Sequence, residues 1–220
     1  MVSRPHPEGW RTISRRLHKD YLISTDIPIF PLRTVLYPDG YLPLRIFEQR
    51  YIQMVRECSG KGSFFGVCLI SNAAGADRPA NHFRVGTSAE ICDFSTLSDG
   101  ILGITAQGRQ KFFIQKTRMR DNGLLMAQVQ TLGDTNDIEL PNEYSVLSMI
   151  TARFMEQLGK NYPSFQPHHL QDANWVGYRL AELLPLENSE KQMLLQLSDP
   201  LERLQLLLET LPRFQEPAED

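Results

Sequence analysis

The sequence predicts an α+β protein, with a β-barrel in the front part of the chain and a helical bundle behind it. Three observations predict this. Between Ile27 and Leu132 short apolar runs alternate with turn signals such as Leu97-Ser98-Asp99-Gly100 and Asp121-Asn122-Gly123, the texture of many short strands that close on themselves. From Pro141 onward the apolar residues recur at intervals of three and four, as on helix faces. The composition is that of an ordinary globular chain: 220 residues, 41% hydrophobic, 22% charged and a net charge of −3. A chain of this length buries roughly 70% of its unfolded surface without disulfide staples, and no run approaches the ~20 apolar residues that span a bilayer.

Residues 1–26 read as a polar N-terminal arm, with five Lys/Arg against two acids up to residue 25 and a lone Trp10. Arg11, Arg15, Arg16 and Lys19 interrupt any secretory apolar core, so the expected location is the cytoplasm. The barrel is expected over residues 27–140. It opens with Ile27–Tyr51, IPIFPLRTVLYPDGYLPLRIFEQRY, whose Pro28, Pro31, Pro38 and Pro43 confine its strands to short, edge or bulged positions, because Pro cannot donate to a ladder. Apolar residues at Phe47, Tyr51, Met54, Val55 and Cys58 then form the stripe of an amphipathic helix. FFGVCLI (64–70) is a buried-strand run and Val85–Phe94 a second, with a bulge expected at Gly86. Asp99-Gly100 turns the chain into Ile101–Ala106. Gly108 precedes a further strand, RQKFFIQ, and Leu124–Thr131 forms the last. Asn72–His82 is polar and small-residue-rich and reads as a loop.

The helical part is expected over residues 141–212, followed by a tail at 213–220. Leu147, Ile150, Phe154 and Leu158 share a face that ends near Gly159. Asp172 is a candidate N-cap for a helix carrying Val176, Leu180, Leu183 and Leu184. Ser189 with Gln192 suggests a capping box, and Asp199-Pro200 starts a last helix with Leu201, Leu204, Leu208 and Leu211 on one side.

These motifs, in order, resemble the amino-terminal domain of the ATP-dependent protease Lon. PIFPL, VLYP and above all LPLRIFEQRY look like that family's first two strands and first helix. VGTSAEI, the LSDG hairpin and GRQKFFI match its middle strands, and LLPLENSEKQMLLQLSDPLERLQLLLETL its closing helices. The resemblance runs from about Ile27 to Leu211 and implies a PUA-like β-barrel followed by a helical bundle, in a stand-alone member without ATPase and peptidase parts. It also implies non-catalytic binding of unfolded or partly folded polypeptide, or of a protein partner. The expected contact surface is an apolar cleft between barrel and bundle, lined by Phe30, Pro31, Leu32, Tyr37, Phe47 and Tyr51, with Arg33, Arg45 and Arg50 at its edge.

Motifs for chemistry are sparse. Gly60-Lys61-Gly62-Ser63 lacks the spacing of a phosphate loop, and there is no G-x-S-x-G elbow. Cys58, Cys68 and Cys92 form no CxxC pair and read as reduced interior thiols. His168-His169 are adjacent and cannot share the i, i+4 geometry of a metal-binding helix face. No cofactor, metal or catalytic residue is therefore expected. Two other classes remain: an RNA-binding module using Arg109, Lys111, Lys116, Arg118 and Arg120 along an extended strand, and a small-ligand enzyme or sensor using the barrel mouth. The mildly negative net charge weighs against nucleic acid.

Overall fold

A computed structural model describes residues 24–71, 82–133, 138–159 and 165–214; residues 1–23 of the expected arm, most of the 72–82 loop and residues 215–220 of the expected tail lie outside the described residues, whereas residues 24–26 already belong to the first strand. Six strands come first: β1 (Ser24–Leu32), β2 (Tyr41–Ile46), β3 (Phe65–Leu69), β4 (Val85–Thr96), β5 (Leu102–Met119) and β6 (Leu125–Leu132), with helix α1 (Gln49–Lys61) between β2 and β3. Helices α2 (Ser145–Leu158), α3 (Ala173–Leu183), α4 (Asn188–Gln196) and α5 (Pro200–Thr210) follow, with short 3₁₀ turns ahead of α2 and α3 and after α5. The α+β class is as expected.

The strands run in the order β2-β5-β4-β3-β1-β6, and β6 pairs again with β5. This closes a ring rather than a regular barrel. β5 is long enough to pair with β4 on one side and with β2 and then β6 on the other. The β1–β3 pair is parallel, so the chain must cross over between them, and β2 and α1 are that crossover.

Side chains sort by the strand period of two. Ile27 and Ile29 of β1 join Phe112 and Ile114 in one cluster, while Phe30 joins Phe65, Leu44, Ile46 and Met126 in another. Against this second layer α1 lays Tyr51, Met54, Val55 and Cys58, the stripe its spacing predicts. Phe47 falls before the helix and stands 67% exposed.

Several local readings are corrected. Gly86 is not the bulge: register shifts fall between Thr87 and Ala89 and between Ile91 and Asp93. A Cβ on Gly86 would sit 2.4 Å from the Val67 carbonyl oxygen, so the residue serves close strand packing. Gly108 does not start a strand but lies inside β5, where a Cβ would come 2.1 Å from the Tyr37 carbonyl oxygen. The box that caps α4 is Glu187 with Glu190, two residues before the Ser189/Gln192 pair. Cys58 and Cys68 are buried, but Cys92 is exposed.

Barrel and helices share one core. Val35, Tyr37 and Leu69 cluster with Trp175, Val176, Tyr178, Leu194 and Leu204. Polar bonds cross the seam as well. Tyr37 donates to the Lys191 carbonyl (2.7 Å), Lys111 Nζ to the Leu197 carbonyl (2.8 Å) and Gln192 Nε2 to the Val85 carbonyl (3.0 Å). Arg203 is fully buried, its guanidinium 3.9 Å from the centre of the Tyr178 ring. It donates to the carbonyls of Leu194 and Leu197, to Asn174 Oδ1 and to the Tyr178 hydroxyl. Leu197 closes α4, so its carbonyl belongs to the negative end of that helix, which is why two buried cations converge on it.

Candidate functional site

The proline-punctuated opening of the chain builds an open groove of about 990 Å³. Consecutive residues of two strands line it, Phe30, Pro31 and Leu32 from β1 and Pro43, Leu44 and Arg45 from β2. The groove therefore follows strand edges instead of lying over one sheet face. β1 pairs with β6 only as far as Pro28, and β2 pairs with β5 alone among the described strands. Pro31 and Pro43 at these edges withhold donors that would otherwise invite another strand.

The groove has two chemically different ends. At the first, the Phe30 and Tyr51 rings lie 4.1 Å apart, and the Arg50 guanidinium sits 4.7 Å over Tyr51. Arg50 is held by Glu48 (2.9 Å) and by the Gly123 carbonyl in the β5–β6 turn (3.0 Å). Burial pushes the Tyr51 phenol above its ordinary pKa, so it stays neutral. Arg45 is paired with Asp99, both side chains well exposed. Phe47 and Met119, 67% and 62% exposed, stand over this end as apolar rim residues. At the other end Leu32 accepts from the Ile70 amide (2.7 Å), and Ile70 bridges to His82; both Ile70 and His82 line the groove.

Of the expected contact residues, Phe30, Pro31, Leu32, Arg45, Phe47, Arg50 and Tyr51 meet in this groove. Arg33 and Tyr37 do not. The Arg33 carbonyl accepts from Asn188 Nδ2 (2.7 Å), and Tyr37 is fully buried at the seam, 5.6 Å from the Tyr178 ring. The groove's place is also different. It is walled by β1, β2, the β2–α1 joint and the β5–β6 turn, and the seam between barrel and bundle is filled by shared core. The sequence reading missed Pro43, Leu44 and Glu48 of the opening stretch. It also missed Ile70, His82, Met119, Gly123 and Leu125, which arrive through pairing across tens of residues that no local spacing signals.

The other candidate surfaces resolve into structural roles. Arg109 binds Glu90 (2.8 and 2.6 Å), Arg120 binds Glu57 (2.8 Å) and Arg118 pairs with Asp26. Lys111 is buried at the seam. The expected basic face is thus largely charge-matched. Gly60-Lys61-Gly62-Ser63 ends α1, with Gly62 left-handed and the Ser63 amide on the Cys58 carbonyl (3.0 Å), the geometry of a helix C-cap. His169 stacks on Trp175 at 5.1 Å and accepts from the Gln166 amide; desolvation holds its pKa below the ordinary value. Among the described residues no three His, Cys, Asp or Glu side chains gather as a metal site, and no helix is long and apolar enough to cross a membrane.

The family model for the ATP-dependent protease La (LON) substrate-binding domain matches residues 26–213. A Lon N-terminal domain protein from Xanthomonas campestris, known from its crystal structure, is 38% identical; the match covers 84% of this chain and 98% of that one with a TM-score of 0.70. A Lon protease of Buchnera aphidicola is 27% identical over 192 residues, 83% of this chain and 24% of the protease. Chicken cereblon is 32% identical over 164 residues, 72% of this chain and 34% of that protein. The chain spans about a quarter of the length of the Lon proteases it matches. With the groove, the helices and all but the first two residues of β1 inside the matched stretch, the chain belongs to the Lon substrate-binding domain family.

Proposed function

We propose that this domain binds unfolded or partly folded polypeptide without acting on it chemically, and that the groove between β1, β2 and α1 is where it does so. The observation that carries the reading is the groove's composition. Its floor is apolar (Phe30, Leu32, Leu44, Leu125), and apolar Phe47 and Met119 stand uncovered at its rim beside Arg45 and Arg50. Apolar surface in a concavity supplies non-directional affinity, and a few polar groups at its edge supply orientation. The family's description as a substrate-binding domain and the Lon proteases among its relatives support a polypeptide as the occupant. The paired arginines of the β5 face disfavour the RNA reading, because each pair would have to open before a phosphate could replace the carboxylate.

The test is a titration of fluorescein-labelled β-casein by anisotropy at 20 mM and 150 mM salt. Contact burial is not screened, so the reading predicts binding in about the micromolar range that changes less than threefold between the two. A tenfold or greater loss would assign the affinity to charge and refute the apolar groove as its source.

A further inference from the structure

One of the two apolar side chains that stand uncovered at the groove rim is a methionine. Met119 closes β5, faces Leu125 across the β5–β6 hairpin and lines the groove while more than half exposed. The backbone around it is tied down. The Arg120 amide donates to the Leu124 carbonyl (2.9 Å) and the Gly123 amide to the Arg120 carbonyl (2.9 Å). Arg50 Nη1, on the Gly123 carbonyl, fastens this turn to α1. The thioether is therefore carried on a strand end that holds it at the groove mouth.

The other described methionines set Met119 apart. Met54, Met126 and Met155 are buried and closed to a dissolved oxidant. Met149 and Met193 are exposed, but they belong to α2 and α4 and are not among the residues that line the groove. Among the described residues, Met119 alone is both open to oxidant and part of the groove. An exposed thioether reacts with a hydroperoxide by a two-electron step. With hydrogen peroxide the sulfur lone pair attacks one oxygen, the O–O bond breaks and an S–O bond forms. The second oxygen leaves as water with both peroxide protons; the thioether is oxidised to the sulfoxide and the peroxide is reduced.

We infer that Met119 is a redox-sensitive modification site, and that its oxidation by a hydroperoxide to the sulfoxide lowers the groove's affinity for polypeptide. This rests on the polypeptide-binding reading and adds regulation of the same site. The sulfoxide oxygen is a strong acceptor, whereas the floor side chains beside it, Phe30, Leu32, Leu44 and Leu125, offer no donor. An apolar segment that covered the oxygen would strand a polar group, so the oxygen keeps its water and the rim contact is lost. Enzymatic reduction returns the thioether, which makes the change reversible.

The experiment treats the full chain with dilute hydrogen peroxide and removes the oxidant by gel filtration. Dithiothreitol then returns the exposed Cys92 thiol, labelled β-casein is titrated by anisotropy, and peptide mass spectrometry scores each methionine. Affinity is expected to fall about fivefold, the loss of roughly one methyl-sized apolar contact, in step with the fraction of Met119 sulfoxide. It should recover after treatment with methionine sulfoxide reductases of both epimer specificities. In Met119→Leu, which is apolar and has no sulfur, peroxide is expected to leave the affinity where it started, whatever that value is. In Met149→Leu combined with Met193→Leu the loss and the recovery should remain. Met119 is then the one exposed methionine among the described residues, so this variant decides the matter if Met119→Leu binds too weakly to compare. Unchanged binding by wild type fully oxidised at Met119 would overturn the inference. So would a Met119 that resists peroxide while Met149 is converted, or a loss undiminished in Met119→Leu. Failure of the untreated chain to bind β-casein would instead refute the polypeptide reading itself, and the inference with it.

Discussion

Arg203→Met should be among the most damaging substitutions in the molecule, and the reason can be worked from its contacts. Arg203 is fully buried on α5, with its guanidinium over Tyr178 and its donors on Leu194 O, Leu197 O, Asn174 Oδ1 and Tyr178 Oη. Met restores the aliphatic volume but donates nothing. The Leu197 carbonyl keeps Lys111 Nζ, whereas the bond to the Leu194 carbonyl is lost outright. Its partners are neutral, and buried acceptors left without a donor cost about 1–3 kcal/mol each, about 3–5 kcal/mol for the set. In a chain of this size 1 kcal/mol moves the melting temperature by roughly 2–4 °C, so the variant should melt about 6–20 °C lower. Because Lys111 of β5 and Arg203 of α5 meet at one carbonyl, strand and helix signals should fall together. Circular dichroism at strand- and helix-sensitive wavelengths, with Trp175 fluorescence as the local probe, reads both. A loss below about 1 kcal/mol would refute the network's importance, and a helical transition that moves while the strand transition stays would refute the shared core.

Gly108→Ala places a methyl 2.1 Å from the Tyr37 carbonyl oxygen and should destabilise by at least the ~1–3 kcal/mol of core overpacking. Gly60→Ala lies in α1 with nothing within 4 Å of the new methyl and should stabilise by ~0.5–1 kcal/mol; urea midpoints check both. Glu57, hydrogen-bonded by Arg120, has its carboxyl held below the ordinary value. A depressed carboxylate contributes stability that is present above its unfolded pKa of about 4.3 and is lost as pH falls through the folded value. Glu57→Gln should therefore differ from wild type at pH 7, by less than ~1 kcal/mol since the pair is about one-third exposed, and converge with it under acid; a gap that widens toward low pH would refute this. Replacing Lys116, Arg118 and Arg120 with Ala should leave casein binding unchanged within twofold, as read by anisotropy.

The fold was legible where periodicity is local. The α1 stripe of Tyr51, Met54, Val55 and Cys58, the Asp172 and Asp199 caps and the β5–β6 turn at Gly123 all stand where spacing and turn chemistry put them. Errors arose where tertiary contact decides a residue's role. Gly108 looks like punctuation, yet the chain passes through it extended, because the Tyr37–Gly40 turn crosses β5 there and needs a residue without a Cβ. Tyr37 and Phe47 are both aromatics in one apolar stretch, and only packing separates a seam residue from a rim residue. The groove was half legible: the residues contributed by Ile27–Tyr51 are consecutive in sequence, while Met119, Leu125 and His82 reach it through the ring's closure. The burial of Arg203 carried no signal, since a helix that buries a cation shows the same spacing as one that exposes it.

The most direct test of the account is Phe47→Asp combined with Met119→Asp. Both side chains are more than half exposed and both line the groove, so the double variant should melt within about 2 °C of wild type, as surface changes do. Measured by anisotropy against labelled β-casein, it should bind at least tenfold more weakly, since two apolar rim contacts are lost and charge is placed at the groove mouth. Unchanged casein binding by a double variant that is fully folded would contradict the claim that this groove is the polypeptide-binding site.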